Sequence, residues 1–181
     1  IKPYIDEWDE AGDFPWRLHE ELGAMGYFGF GVSDAYGGLG FDDAFMRAAA
    51  SEEMARAGGT SVWAGVGGRS ISIGPIEHLA SEEIRDRTLK DIVLGRKGSC
   101  LAITEPSGGS DVANMQTTAV RDGDEWVING SKTFITGGMK GDYFVVGART
   151  GEEGIAGISL FFVDADNPGF TRTPLERKMG W

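Results

Sequence analysis

The chain has 181 residues, 41% of them hydrophobic and 25% charged, which is an ordinary globular composition able to bury a core. A formal net charge of -11 and a pI near 4.6 exclude non-specific attraction to nucleic acid or anionic lipid, whose phosphates would be repelled. No apolar run reaches the roughly 18 to 20 residues that span a bilayer, and the acidic first twenty residues show neither a signal peptide nor a basic transit peptide, so the expectation is a soluble, cytoplasmic protein.

In chain order, the first clear helix is predicted from Pro15, whose fixed φ suits a first helical turn, with Asp13 as its cap. Leu18, Leu22 and Met25 form its apolar stripe and Gly26 its stop. A turn-rich loop over 33–40 follows. Asp42 and Asp43 open a second helix, with Phe45, Met46, Ala49, Ala50 and Met54 expected to face inward until Gly58-Gly59 ends it. Residues 60–74, apolar and small on nearly all sides, predict a helix buried in a bundle. Residues 81–95 predict an amphipathic one through Ile84, Leu89 and Ile92. These four helices make a helical amino-terminal domain over 1–97.

From Gly98 the apolar period falls to about 2 and β-branched and aromatic residues take over, predicting a β-domain over 98–181. Trp126–Ile128, Asn129-Gly130 and Thr133–Ile135 read as a hairpin with a type I′ turn, preceded by another turn at Asp122-Gly123. Further strands are expected over 143–148, 158–163 and 170–173. The chain stops at Lys178-Met179-Gly180-Trp181 without a closing element, so this sheet is expected to be incomplete. The fold class is therefore α+β: a helical bundle followed by an antiparallel, barrel-like β-domain.

Common enzyme signatures are absent: there is no G-x-x-x-x-G-K-[ST], no G-x-S-x-G and no H-E-x-x-H. Gly38-Leu39-Gly40 and Gly65-Val66-Gly67 lack the third glycine and preceding strand of a dinucleotide fingerprint. Cys100 is the only cysteine, which excludes an intrachain disulfide, and it reads as a buried structural thiol. His19 and His78 lie too far apart for a metal site.

The segment with chemical content is Leu101-Ala102-Ile103-Thr104-Glu105-Pro106-Ser107-Gly108-Gly109-Ser110-Asp111. A β-like run ends at proline and then exposes backbone. Gly108 and Gly109 let N–H groups approach a diphosphate, and Ser110 adds a hydroxyl. The competing reading is a tight surface turn in which Ser110 and Asp111 bond their own backbone. Two positions apart on a predicted strand, Phe134 and Thr136 would share a face, where a flat ring could lie on the phenyl group and accept a bond from the hydroxyl.

LAITEPSGGSD, INGSKTFITGG and KMGW, in that order and spacing, resemble the acyl-CoA dehydrogenase family. LGAMGYFGFGVSDAYGGLG and IGPIEHLASEEIRDRTLKDIVLG extend the resemblance through the helical half. It implies a helical domain, a central β-domain and a carboxy-terminal four-helix bundle absent from this chain, with FAD between the last two. It further implies flavin contacts from Leu101, Ile103, Thr104, Phe134, Ile135 and Thr136, with the Thr136 hydroxyl near flavin N5. Gly109 and Ser110 would meet the pyrophosphate, Ser110 also lying near the substrate. Phe134 stands where many relatives carry tryptophan, which keeps an aromatic plane but loses the indole N–H.

The implied reaction is α,β-dehydrogenation of an acyl-CoA thioester in fatty acid metabolism, with electrons passed to an electron-transferring flavoprotein. An oxidase or flavin monooxygenase on the same fold, or a non-catalytic flavin-binding fragment, are the alternatives. The family's catalytic base is a glutamate beyond Trp181, so no catalytic residue is assigned and this chain alone is expected to be inactive. Glu105, before Pro106, reads instead as a loop-holder that accepts backbone N–H bonds. Asp111 reads as a turn-former and Lys132 as a solvated strand-end cation. The resemblance also implies a homodimer or homotetramer, with a mitochondrial matrix location in a eukaryote.

Overall fold

The computed structural model describes residues 1–12 and 14–176, the side chain of Arg69 excepted; the expected cap Asp13 and the KMGW segment lie outside these residues. A short 3₁₀ turn, Lys2–Tyr4, runs into α1 (Ile5–Ala11), a helix the sequence reading did not anticipate. In α2 (Trp16–Ala24) Pro15 takes the N-cap position, and Leu18 and Leu22 turn inward beside His19, whose ring sits between those of Trp16 and Phe28. Met25 does not complete the stripe. It follows the last helical turn, is 80% exposed, and precedes Gly26 at φ 84.

Asp43 caps α3 (Ala44–Ala57) by accepting from the N–H groups of Phe45 and Met46, both at 2.9 Å. The face expected to be buried is open, however: Phe45 is 86% exposed and α3 has no buried residue. Apolar spacing marks a face, and only a packed neighbour buries it. Gly58 and Gly59, both at positive φ, turn the chain into the next helix.

The single helix expected over 60–74 is two, α4 (Thr60–Ser70) and α5 (Ile73–Leu79). Pro75 explains the break. Its ring would strike the carbonyl of Ile71 in a continuous helix, and it lacks the N–H to bond there, so the helix restarts with Pro75 in its first turn. In α6 (Glu82–Val93) the Ser81 hydroxyl caps Ile84 N–H, and Leu89, Ile92 and Val93 are buried. Gly23 of α2 lies so close to Leu94 and Gly95 that any side chain there would overlap their backbone, which fixes where α2 crosses the end of α6.

The strands are β1 (Ser99–Ala102), β2 (Thr118–Asp122), β3 (Glu125–Asn129), β4 (Tyr143–Arg149) and β5 (Ile158–Asp164). The sheet is mixed rather than wholly antiparallel. β1 and β4 pair in parallel from Ser99↔Tyr143 to Ala102↔Val146, because the chain between them makes a long crossover that contains the β2–β3 hairpin. β5 returns antiparallel on the other edge of β4, and β2 touches β4 through Thr118↔Arg149.

The hairpin also lies elsewhere than expected. It turns at Gly123 (φ 62), pairing Asp122 with Glu125, whereas Gly130 is not among the positive-φ glycines that a type I′ turn requires. Gly130 serves a close approach instead, because any Cβ there would overlap Thr117. Residues 133–136 and 170–173 form no strand; Phe170 packs its ring on Phe144, with centroids 4.6 Å apart.

β4 is covered on both faces, so Phe144 through Ala148 are all buried. Val145 joins the main core, formed by Leu18, Leu22, Phe28, Val66, Ile76, Leu89 and their neighbours. Phe144 and Val146, pointing the other way, build a second cluster with Cys100 and Ala102. The buried Ser72 hydroxyl donates to that of Ser99 (2.7 Å), and Arg87 makes a forked pair with Asp164 (2.8 and 3.1 Å), tying helices to strands. Among the described residues no helix is long and apolar enough to cross a membrane.

Candidate functional site

The loop leaving β1 is built around Glu105, whose residue is 6% exposed. Its carboxylate accepts from the backbone N–H groups of Gln116 (2.7 Å) and Thr117 (2.8 Å) and from the Lys132 ammonium (2.8 Å). Lys132 also donates to the Ile103 carbonyl at 3.0 Å, and Thr133 N–H donates to the Thr104 carbonyl at 2.9 Å. These bonds draw 103–105 and 132–133 together, although neither segment is part of a regular strand.

Burial alone would raise the Glu105 carboxyl; the Lys132 ammonium and the Gln116 and Thr117 amides outweigh it and hold the group at about 2. Such a carboxylate, with both oxygens occupied, is a poor proton acceptor at neutral pH. The expected loop-holding role is what the geometry provides. Lys132 differs from its expectation: it is a largely enclosed partner, 10% exposed at the side chain, and burial lowers its pKa while Glu105 raises it in part.

Beyond Glu105 the chain closes a tight turn through Glu105 N–H to Gly108 O (2.9 Å) and Gly108 N–H to Glu105 O (3.1 Å). The N–H groups of Gly109, Ser110, Asp111 and Val112 then follow, and none donates to a protein acceptor among the described residues. Val112–Asn114 forms one 3₁₀ turn, closed by Asn114 N–H on the Asp111 carbonyl, and the Asp111 side chain makes no cap bond. Of the competing turn reading, the exposed turn forms, but neither the Ser110 nor the Asp111 side chain bonds its own backbone among the described residues. Gly109 comes close to Thr104: a Cβ there would lie 3.1 Å from Thr104 Cγ2. A small cleft of about 70 Å³ opens here, lined by Ile103, Glu105, Gly109, Asp111, Val112 and Met115.

The second expected segment takes a different shape from a strand. Phe134 has φ 57, the only left-handed backbone outside glycine among the described residues, and it is 71% exposed. Ile135 turns inward against the Cys100 cluster. Thr136 packs against Gly68 of α4 so closely that any Cβ at Gly68 would overlap it. Phe134 and Thr136 therefore do not share a strand face; the turn sends one ring outward and presses the threonine methyl group toward α4. Leu101 packs on the main core, and Ser110 lies exposed on the loop.

One contributor carried no sequence signal. Arg149, ending an apolar strand, donates only to carbonyls: Ala113 (2.6 Å), Met115 (3.2 Å), Glu152 (2.7 Å) and Gly154 (3.2 Å). Gly147 is a second such position. A Cβ there would press on Met115 Cε at 2.9 Å and Ile103 Cδ1 at 3.0 Å, so its bareness seats the loop on β4.

In chemical terms, a run of unengaged N–H groups beside side-chain-free backbone suits an anion with several oxygens, and an exposed phenyl ring suits a flat heteroaromatic. Among the described residues no three acids, histidines or cysteines cluster as a metal ion would need.

Residues 1–96 match the family model described as acyl-CoA dehydrogenase, N-terminal domain, and residues 100–181 match acyl-CoA dehydrogenase, middle domain. The chain is 34% identical over 182 residues to the mitochondrial isobutyryl-CoA dehydrogenase of Dictyostelium discoideum, covering all of this chain and 43% of that protein. It superposes with a TM-score of 0.92 on a probable acyl-CoA dehydrogenase from Mycobacterium abscessus, at 37% identity, over 100% of this chain and 48% of the other. Against a glutaryl-CoA dehydrogenase from Mycobacterium smegmatis in complex with FADH2 the TM-score is 0.89 at 32% identity, covering 99% and 45%. The chain thus spans a little under half the length of these relatives.

Proposed function

The chain belongs to the acyl-CoA dehydrogenase family, and we propose on that premise that it supplies the helical and β parts, 1–97 and 98–181, of an FAD-dependent acyl-CoA dehydrogenase. The observation that carries this reading is the row of unengaged N–H groups from Gly109 to Val112, held in place by the buried Glu105–Lys132 pair. Gly109 and Ser110 would take the diphosphate, with Ser110 also bordering the acyl-CoA. Leu101, Ile103 and Thr104 would border the flavin ring system, Phe134 would offer its exposed ring, and Ile135 and Thr136 would frame the redox edge. FAD, when bound, would supply the hydride acceptor for an α,β-dehydrogenation, and none of the residues named here is assigned as the base for the α-proton.

This chain's own contribution is to bind and orient. Neutral amides fixed before the ligand arrives need no reorganisation when charge develops. The Thr136 side chain is wedged against Gly68 through its methyl group, and its hydroxyl would be a fixed donor for the flavin edge where negative charge grows. An electron-transferring flavoprotein as electron acceptor, assembly as a homodimer or homotetramer, and work in the cytoplasm or mitochondrial matrix complete the proposal. The test is Thr136→Ala in the full-length protein. Loss of one buried bond, about 1–3 kcal/mol, slows anaerobic flavin reduction by roughly five- to 150-fold. An unchanged reduction rate removes Thr136 from the flavin edge.

A further inference from the structure

Arg149 is the last residue of β4, and its guanidinium engages four backbone carbonyls with no carboxylate within ion-pair distance among the described residues. An arginine placed this way brings a rigid fork of donors to several carbonyls at once, which a lysine cannot do.

The bonds form a relay. In a trans peptide the C=O and the following N–H point in opposite directions. The Met115 carbonyl is held by Arg149, and the N–H of the same peptide, on Gln116, is held from the other side by Glu105 at 2.7 Å. The Ala113 carbonyl is held by Arg149, and the N–H of that peptide, on Asn114, reaches the Asp111 carbonyl at 3.2 Å. With the Asp111 carbonyl fixed, the N–H across its own peptide, on Val112, faces away from the 3₁₀ turn. Residues 113–117 are thereby gripped between a cation that holds their carbonyls and an anion that holds their amides. The unengaged N–H groups sit immediately upstream of this grip. Arg149 also reaches Glu152 and Gly154, so the grip is anchored in the β4–β5 connection.

We propose that Arg149 is a positioning residue for the diphosphate of FAD: through the carbonyls of Ala113 and Met115 it fixes the Asp111–Val112 peptide, and so the direction of the Val112 amide that ends the row from Gly109. This rests on the flavin reading above and goes beyond it by assigning a residue that need not touch the ligand. Its positive charge, left without an acid, also favours an anion at the loop.

The experiment compares Arg149→Lys and Arg149→Met with the wild type in the full-length protein. FAD is titrated into flavin-free protein, amide exchange is followed across 109–117 without flavin, and Tm is recorded. Both variants should bind FAD about tenfold or more weakly, the size of lost bonds to a charged donor. Amides of Asn114, Gln116 and Thr117 should exchange faster, and lysine should not rescue. Unchanged FAD affinity with only a lower Tm overturns the proposal, as does full rescue by lysine, which would leave charge alone as the cause. If the wild type itself binds no FAD, the flavin reading fails. Amide exchange in Arg149→Lys still judges the relay in that case, and unchanged exchange overturns it.

Discussion

Replacing Glu105 by glutamine keeps the volume of the loop's central side chain and removes its charge. The amide retains one acceptor oxygen and places an NH2 among the Gln116 and Thr117 N–H groups and the Lys132 ammonium, all of them donors. Lys132, 10% exposed at its side chain, loses its carboxylate partner and keeps only the Ile103 carbonyl. The carboxyl is held at about 2 against an ordinary 4.5, and at 1.36 kcal/mol per pK step this corresponds to about 3 kcal/mol. The cost of orphaning one member of a buried pair, about 3–5 kcal/mol, agrees. Because the folded-state value is depressed, this stability is fully present above about 4.5 and is lost as pH falls toward about 2. Urea unfolding of wild type and Glu105→Gln should therefore differ by about 3 kcal/mol at pH 7, and the gap should narrow steadily below pH 4.5. Adding Lys132→Met to Glu105→Gln should recover part of the loss by removing the orphaned charge. A deficit under about 1 kcal/mol at pH 7, or a gap indifferent to acid, would refute the reasoning.

Gly68→Ala offers a test by sign, since alanine in a helix interior ordinarily stabilises by about 1 kcal/mol. Here its Cβ would overlap Thr136, so thermal unfolding should fall and flavin reduction should slow; a more stable protein with unchanged reduction would contradict the contact. Phe134→Gly relieves a left-handed backbone and sacrifices an exposed ring. Its unfolding free energy should stay within about 1 kcal/mol of wild type, while FAD titration should show weaker binding, and equal affinity would remove the ring from the site. Asp43→Ala should cost about 1 kcal/mol and speed amide exchange at Phe45 and Met46, whose N–H groups it caps.

Local chemistry was the part of the fold most legible in the sequence. The opening of α3 at Asp43, the Gly26 and Gly58-Gly59 stops, and the strands expected over 143–148 and 158–163, each of which runs one residue further, follow from capping, positive-φ glycine and period-2 patterning. What failed depended on neighbours. The Phe45 face of α3 looks like a core face, but exposure is set by what packs on it. Asn129-Gly130 carries the dipeptide of a hairpin turn, yet the glycine is there for its contact with Thr117. The parallel pairing of β1 with β4 follows from a crossover spanning some forty residues, which no local window contains.

At the site, Glu105 was legible because a buried acid before proline in a glycine-rich loop has backbone amides to accept. Lys132 was misread because its burial comes from residues about 30 positions away. Arg149 was invisible for the same reason: a lone arginine ending a strand says nothing of the four carbonyls that fold around it.

The most direct test of flavin binding and acyl-CoA oxidation is the visible spectrum of the purified full-length protein, followed by anaerobic addition of acyl-CoAs of increasing chain length. The account predicts oxidised flavin bands as isolated, bleached by one class of acyl-CoA. A colourless protein that takes up no FAD from solution would contradict it.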